Sequence, residues 1–547
     1  MNRSKERPLD RSVTPAAGAS GADFLQLDIT AAPPGGLADW LAAELRRAVS
    51  DGRLPLGSRL PATRTLAADL GVSRGVVTEA YRRLAEDGHT TADGRAGTRV
   101  VATPLTVGEA GDGGRTASVA GGVGGVGGRT AAGGGVVGGN AGGTASVVTG
   151  VEGGAAGGTG RAGAGRGGGL FDGVPGSDVF DRLRAAPAQV DLSPGAPDLA
   201  AFPRGEWLRA ERAVLADLPA ADLGYGDPRG APALRREVAA WLARNRGIPA
   251  DPDDVVIVGG TAQALGLFAQ LLAADGIDTL AFEDPGSLGV RQHLVRAGLH
   301  TPPVPVDADG LRVDALRASG APAVLVTPAH QFPTGVVLGG RRRRALMDWA
   351  ARDGGLVVED DYDAEHRYDR PPVAALRALL ADHVCYTGSI SKLLAPALRI
   401  GWVLVPARHH DALVEAKRFA DLGTATLPQL VLARLMRTGA LERQLRLLRR
   451  RHRRRRDAMV AAIGEMLPGA VVRGAAAGLH ITVTLEAYGA VSDTEVAAAA
   501  LGHGVKVHPL SWHRQVPGPA GLVLGYAART PPDITTGVAA LARLLTA

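Results

Sequence analysis

Cysteine is almost absent: Cys385 is the single one in 547 residues. An internal disulfide is thereby excluded, and the usage fits a reducing cytoplasm. Aromatic residues make up 4% of the chain against 45% hydrophobic residues in all, so the core has to be built mainly of Ala, Val and Leu. No apolar run approaches the roughly 18 residues of a membrane span. No N-terminal stretch joins a basic segment to an apolar run of signal length. We therefore expect a cytoplasmic protein with no membrane partner. Lysine is scarce too: among 61 Lys plus Arg it stands only at Lys5, Lys392, Lys417 and Lys506.

The length leaves room for roughly two to four domains. A net charge of +6 permits a nucleic-acid partner without requiring one. Residues 1–21 are polar and rich in Gly, Ala and Pro, and are expected to be disordered; residues 22–30 carry a short strand-like alternation. From Leu37 the pattern turns helical. Leu37, Trp40, Leu41, Leu45 and Val49 recur at three- and four-residue spacing and share one face. A second helix follows Pro61. Gly71-Val72-Ser73 makes a tight turn, with Ser73 placed to cap a third helix that runs to about Glu86. A hairpin around Asp93-Gly94-Arg95-Ala96-Gly97 follows, with Thr98 to Val101 as its return strand.

Short helices joined by a Gly-containing turn and followed by a hairpin predict a winged helix-turn-helix over residues 22–103. Its third helix would enter the major groove. Ser73, Arg74 and Thr78 point away from the buried face; Arg59 and Arg64 would hold the backbone, and the wing tip at Gly97 and Thr98 would lie along it. Ten arginines against eight acidic residues over 37–100 leave charge alone uninformative, and a structural three-helix domain fits the same composition.

From about Pro104 to Gly173 the chain is low-complexity Gly, Ala, Val and Thr. Such a stretch buries too little apolar surface to offset its ordering entropy. We assign residues 104–188 to a flexible linker spanning about 40–50 Å root-mean-square. Residues 189–547 then alternate strand-like and helix-like segments, which predicts an α/β domain around a mainly parallel sheet. Ligands on such sheets sit beyond the C-terminal strand ends.

One loop there carries unusual chemistry: Ser389-Ile390-Ser391-Lys392 after an apolar strand, with Arg399 seven positions on. In an arginine-biased chain, an amine that can lose its proton and form a Schiff base with an aldehyde offers what a guanidinium does not. A solvated lysine beside a turn fits the spacing equally well. Gly259-Gly260-Thr261 sits between a strand and a helix, where free amides suit a phosphate. Asp360 and Tyr362 follow a strand, where an exposed acidic turn is the plainer explanation.

Taken in order, these segments resemble the pyridoxal-phosphate (PLP) site of fold-type-I aminotransferases. Gly52-Arg53-Leu54-Pro55-x-Gly57-x-Arg59-Leu60-Pro61-x-x-Arg64, with Gly71-Val72-Ser73-Arg74, resembles the DNA-binding domain of GntR-type regulators. The joined architecture resembles the MocR subfamily of those regulators. That resemblance implies a winged helix-turn-helix plus a large PLP-dependent transferase fold type I domain with a smaller C-terminal α+β subdomain. It implies Lys392 on the cofactor aldehyde, Asp360 on the pyridine nitrogen and Tyr362 on the ring hydroxyl. Gly260, Thr261, Ser389, Ser391 and Arg399 would hold the phosphate, and Tyr225 would reach it across the interface of a domain-swapped homodimer. The implied partners are a double-stranded DNA operator and an amine, amino acid or PLP effector; no metal is implied.

Three positions depart from the aminotransferase pattern. Ser287 stands where a ring-stacking aromatic is usual, His330-Gln331-Phe332 replaces the asparagine before Pro333-Thr334-Gly335, and Val523 replaces the arginine that grips a substrate carboxylate. Arg529 and Arg514 are the nearby alternatives. A sensor is expected from this, with an active aminotransferase governed by its own head as the rival.

Overall fold

The computed structural model describes residues 36–50, 54, 58–86, 89–92, 97–100, 169–368 and 374–546, together with Leu27, Ile29, Ala32 and Pro33. The segment expected to be disordered, 1–21, the tether from Pro104 to 168 and the hairpin tip Asp93–Ala96 lie outside these residues.

The head consists of α1 (Leu37–Ser50), α2 (Thr63–Asp69), α3 (Arg74–Glu86), β1 (Thr90–Ala92) and β2 (Thr98–Val100). Leu41, Leu45, Val49, Leu66, Val77, Ala80, Tyr81 and Leu84 form its core, at about 1.5–3 kcal/mol for each large apolar side chain fully buried. Leu37 and Trp40 are only half-buried at the margin. Gly71 turns the chain between α2 and α3 at φ +64°, a conformation glycine adopts without a Cβ penalty. The strands pair antiparallel, and the Leu60 amide donates to the Thr98 carbonyl at 2.9 Å, fastening the approach to α2 onto the hairpin. Leu27 and Ile29 form no strand, contrary to the alternation; Ile29 lies in a 3-10 turn and both pack on the head core.

The body begins earlier than composition suggested. Residues 169–188, assigned above to the linker, carry α4 (Val179–Ala185). Phe171, Val179 and Leu183 are buried in the C-terminal subdomain's core. The i, i+4 pair Val179–Leu183 is enough to dock one helical turn, and its few apolar residues are diluted by the preceding glycines.

After β3 (Val190–Asp191), α5 (Arg204–Asp217) and α6 (Pro232–Arg246), the chain lays down β4 (Val256–Val258), α7 (Thr261–Ala274), β5 (Leu280–Asp284), α8 (Leu288–Arg296), β6 (Pro303–Asp307) and β7 (Gly310–Leu311). Next come α9 (Val313–Ser319), β8 (Ala323–Val326), α10 (Gly340–Asp353), β9 (Leu356–Asp361), β10 (Val384–Ser389) and β11 (Gly401–Leu404). Among the described residues these strands form one eight-stranded sheet in the order β4-β11-β10-β9-β8-β5-β6-β7. β4, β5, β6, β8, β9 and β10 run the same way; β11 and β7 oppose them. Period-two alternation sorts the side chains. Val256, Val258, Phe282, Leu325 and Val358 pack under α7 and α8. Ile257, Ala281, Val324, Val357 and Tyr386 face away from them, under α6, α9 and α10. A sheet covered on both faces explains why its strands read as continuous apolar runs.

The remainder is α11 (Ala407–Asp421), α12 (Thr426–Arg437), α13 (Ala440–Met466), β12 (Val471–Arg473), β13 (His480–Thr484), α14 (Asp493–Gly502), β14 (Val505–Lys506), β15 (His508–Pro509), β16 (Gly521–Gly525) and α15 (Pro531–Thr546). An antiparallel sheet, β12-β13-β16-β15, with α14 and α15 makes the smaller α+β subdomain. The run Arg449-Arg450-Arg451-His452-Arg453-Arg454-Arg455-Arg456 on α13, whose composition suggests a solvated face, is one only in part: Arg450, Arg453 and Arg454 are exposed. Arg455 is buried and, with Arg451, holds the buried Asp198 at 2.8 Å, while Arg449 and Arg453 donate to the carbonyls of Glu365 and Tyr368. In the arginine run 341–344 at the start of α10, Arg343 is buried and donates to the Ala374 carbonyl.

Candidate cofactor site and nucleic-acid interface

Parallel strands bring the C-terminal ends of β4, β9 and β10 to one edge of the large sheet, each followed by a loop of small or polar residues. At the first, Gly260 takes φ +88° and starts the 14-residue helix α7 at Thr261. Its first-turn amides are the positive end of the helix dipole. The Arg399 guanidinium lies directly on this turn and donates to the Gly259 carbonyl. A Cβ at position 260 would meet that guanidinium at 3.1–3.3 Å, so the close approach requires glycine. Gly401, at the start of β11, separates the two loops: a Cβ there would lie 2.9 Å from the Gly388 carbonyl and 3.1 Å from the Gly260 Cα. Ser389 closes β10, with Ser391 and Lys392 on the turn behind it.

β9 ends in three acids that alternate between its faces. Glu359 accepts the amides of Leu376 and Arg377, each at 3.0 Å. Asp361 is held by Arg246 and by the Tyr386 hydroxyl, each at 2.5 Å. Asp360 points the other way, toward Lys392. It is buried, and its Oδ1 has no hydrogen-bond partner. Burial, then the charges of Asp361 and Asp363, push its carboxyl up to about 7, while Lys392 pulls it back. Burial likewise depresses the Lys392 ammonium, against Asp363 and Asp360, so a larger share of the amine is free of its proton. The Lys392 Nζ donates to the Gly195 carbonyl, and His366 Nε2 holds the Lys392 carbonyl at 3.1 Å.

The Tyr362 hydroxyl lies 3.0 Å from His330 Nδ1, which also meets Asp363 Oδ2 at 2.9 Å. His480 brings a third potential ligand atom within 4.8 Å of that pair, but its Nε2 is already engaged by the Pro333 carbonyl at 3.1 Å. Gln331, in the segment where an asparagine was missing, contacts Phe332 and Thr334 in its own loop and donates to the Pro285 carbonyl after β5 at 2.8 Å. Ser287 caps α8, accepting from the Val290 amide. Val523 is fully buried in β16, between Thr482 and His508 on its neighbours. Of the alternatives, Arg529 is tied to the Asp191 carbonyl at 3.0 Å and the Arg514 guanidinium packs on Gly518. Tyr225 is 94% exposed in the single chain.

A group with a cationic ring nitrogen, an aldehyde and a phosphate fits these residues. A buried carboxylate oxygen without a partner calls for a donor, the amine lies beside it, and a guanidinium and helix N-terminus await an anion. Two contributors were not anticipated: the Gly195 carbonyl and the His330–Asp363 pair. Gly195 left a trace in the Gly/Pro-rich stretch Ser193-Pro194-Gly195-Ala196-Pro197.

In the head, Ser73 is exposed immediately before α3, Arg74 and Thr78 on α3 and Arg64 on α2; the Arg74 Nε donates to the Thr63 hydroxyl at 3.3 Å. Arg59 and Gly97 are exposed and Thr98 half-buried at the hairpin, where Arg59 bridges to Arg99. Among the described residues no helix is long and apolar enough to cross a membrane.

Residues 187–541 match the family model for aminotransferase class I and II, and residues 37–100 that for bacterial regulatory proteins of the gntR family. The probable rhizopine catabolism regulatory protein MocR of Rhizobium meliloti is 30% identical over 92% of each chain. The pyridoxine biosynthesis transcriptional regulator PdxR of Corynebacterium glutamicum is 28% identical over 80% of this chain and 81% of its own. Among solved structures, a multiple substrate aminotransferase from Thermococcus profundus superposes with a TM-score of 0.62 at 27% identity, over 68% of this chain and 95% of its own. A Pyrococcus horikoshii kynurenine aminotransferase, in complex with PMP, gives 0.61 at 27% identity over 68% and 93%. The chain thus belongs to the MocR-type GntR regulators, in which a gntR-family head is joined to an aminotransferase class I and II body of PLP-dependent fold type I.

Proposed function

We propose that the protein is a transcription regulator whose head binds double-stranded operator DNA and whose body holds PLP to sense an amine, an amino acid or PLP itself. The observation that carries this reading is the buried, unpartnered Asp360 oxygen facing Lys392, at the same sheet edge as the Arg399–Gly260 cradle. PLP, when bound, supplies an aldehyde that condenses with an amine with loss of water, and a ring that accepts electrons. In this reading Lys392 is the attachment point and Asp360 pairs with the ring nitrogen. Tyr362 donates to the ring hydroxyl. Gly260, Thr261, Ser389, Ser391 and Arg399 bind the phosphate.

Tyr225, exposed in one chain, completes the phosphate site of a partner copy in a domain-swapped homodimer. Arg59, Arg64, Ser73, Arg74, Thr78, Gly97 and Thr98 meet the DNA, with the arginines contributing the salt-dependent part of the affinity. The regulator acts in the cytoplasm. An effector shifts the dimer between two arrangements of its heads by as much as its affinities for the two differ.

The test compares wild type and Lys392→Ala for operator affinity with and without PLP. A PLP response in the wild type that the variant lacks supports sensing through this amine; identical responses overturn it. Incubation with a panel of amino and keto acids separates the rival: sustained turnover at about 1 per second or faster marks a working aminotransferase.

A further inference from the structure

We propose that His330, oriented by Asp363, is a positioning residue that holds the Tyr362 hydroxyl so that its proton is directed at the cofactor; the proposal rests on the reading that Tyr362 faces the PLP ring. The three side chains converge from two loops at the edge of the large sheet. Tyr362 and Asp363 follow β9, whereas His330 follows β8. His330 Nδ1 is shared, 2.9 Å from Asp363 Oδ2 and 3.0 Å from the Tyr362 hydroxyl.

A carboxylate at that distance accepts a proton, so it fixes the Nδ1–H tautomer. The one Nδ1–H is then shared between the carboxylate and the phenol oxygen, and Nδ1 offers no lone pair that could take the phenol's own proton. His330 Nε2, the bare nitrogen of that tautomer, is buried without a partner. It is packed close: a Cβ at Gly335 would lie 3.0 Å from it, and one at Gly478 only 1.9 Å from the ring carbon. The ring therefore occupies the space that a side chain at Gly478 would need.

Burial, followed by the charges of Asp363, Asp360 and Glu283, holds the Tyr362 phenol in its protonated form. Phe332 and His480 pack against the histidine and tyrosine rings without supplying a competing hydrogen bond to Tyr362. Among the described residues, the groups in hydrogen-bond contact with that hydroxyl are His330 and the adjacent Asp363 carboxylate, which is the one protein acceptor that competes for its proton. Where Phe332 precedes Pro333, a side chain without a donor, His330 and Asp363 supply the polar support from two positions upstream and from the neighbouring loop.

The experiment is a double-mutant cycle on full-length protein loaded with PLP. It uses His330→Ala, Tyr362→Phe and their combination, with Asp363→Asn as a second variant should His330→Ala fail to fold. Two quantities are read: the dissociation constant for PLP, and the pH midpoint of the bound cofactor's visible band. Each single variant is expected to bind PLP about tenfold more weakly, the scale of one hydrogen bond to a charged acceptor. Each should also move the midpoint upward by about one unit, because a donor at the ring oxygen favours its deprotonated form. The double variant should match Tyr362→Phe within about twofold in affinity.

Additive losses in the double variant would overturn the proposal, since His330 would then act independently of the phenol. A silent Tyr362→Phe with the Lys392-dependent band intact would overturn it too, while leaving PLP binding itself standing. Loss of the band in wild-type protein would instead sink the underlying reading. Zinc retained stoichiometrically by the wild type and released by His480→Ala would show these three residues to be ligands, and would also overturn the proposal.

Discussion

At the cofactor end of the site every polar group is buried, charged or aimed: Asp360 faces Lys392 with an unpartnered oxygen, and Arg399 presses on the α7 N-terminus. At the end where an aminotransferase grips the substrate carboxylate, β16 offers Val523, buried between a threonine and a histidine. Burying the ionised forms of Asp360 and Lys392 is costly, and burial shifts both toward their neutral forms. In the proposed reading, a chain that bears this cost at one end, and fills the other with an apolar side chain, would keep its grip on the cofactor without the matching grip on an amino acid. That asymmetry favours a sensor, in which occupancy matters, over a catalyst, which must orient its substrate as well.

The largest effect expected is at Lys392. Lys392→Ala should abolish covalent attachment altogether, with no visible band and no mass gain after borohydride reduction in the presence of PLP. Persistence of either would move the attachment elsewhere and undo the comparison. Asp360→Asn comes next, with PLP binding weakened about a hundredfold, the scale of leaving a buried cation unpaired. Without PLP the same change should stabilise. Asp360 is lifted from 3.8 to about 7 in the folded protein. Its contribution is therefore intact below about pH 4 and lost as pH rises to about 7, up to about 4 kcal/mol. Thermal unfolding of the PLP-free proteins should show Asp360→Asn gaining on the wild type as pH rises from about 4 to about 7. A gap that stays flat across that range would mean that Asp360 is solvated or already paired.

Much of this contrast was legible in the residues alone, and for identifiable reasons. The helix faces of α1 to α3 obey a local period, so Leu41, Leu45, Val77 and Leu84 declare themselves without tertiary information. Val523 was visible because a strand motif fixes its position. Lysine scarcity was a weaker guide than it looked. Lys417 and Lys506 are buried as well, one on Asp421 and the other on the Arg184 carbonyl, so rarity alone pointed to three amines rather than one. What escaped was non-local or diluted. His330 and Asp363 are 33 residues apart and meet only because β8 and β9 are neighbours. Asp198 is paired with Arg451 and Arg455 from far along the chain, which turned part of an apparently solvated arginine run into an internal clamp. Helix α4 was hidden because a glycine-rich run masks the few apolar positions that dock it.

Two smaller effects sharpen the contrast between the ends. Arg399→Gln should weaken PLP about tenfold, the loss of one charge-assisted contact to phosphate. It should leave the weaker binding of pyridoxal, which lacks the phosphate, within about twofold of wild type. Equal losses for both ligands would place Arg399 away from the anion.

Val523→Ala should do least to the ligand. Removing two buried methyl groups from β16 leaves a small void, and that costs the fold about 2 kcal/mol, read as a lower unfolding midpoint. PLP affinity should change less than twofold, because no charged contact is lost. The effector response should keep its selectivity, because a side chain that binds nothing cannot discriminate among amines. A changed preference between simple amines and α-amino acids in Val523→Ala, at unchanged PLP affinity, would show that this apolar end reads the effector. The site would then be divided between one charged half that holds PLP and one apolar half that selects what meets it.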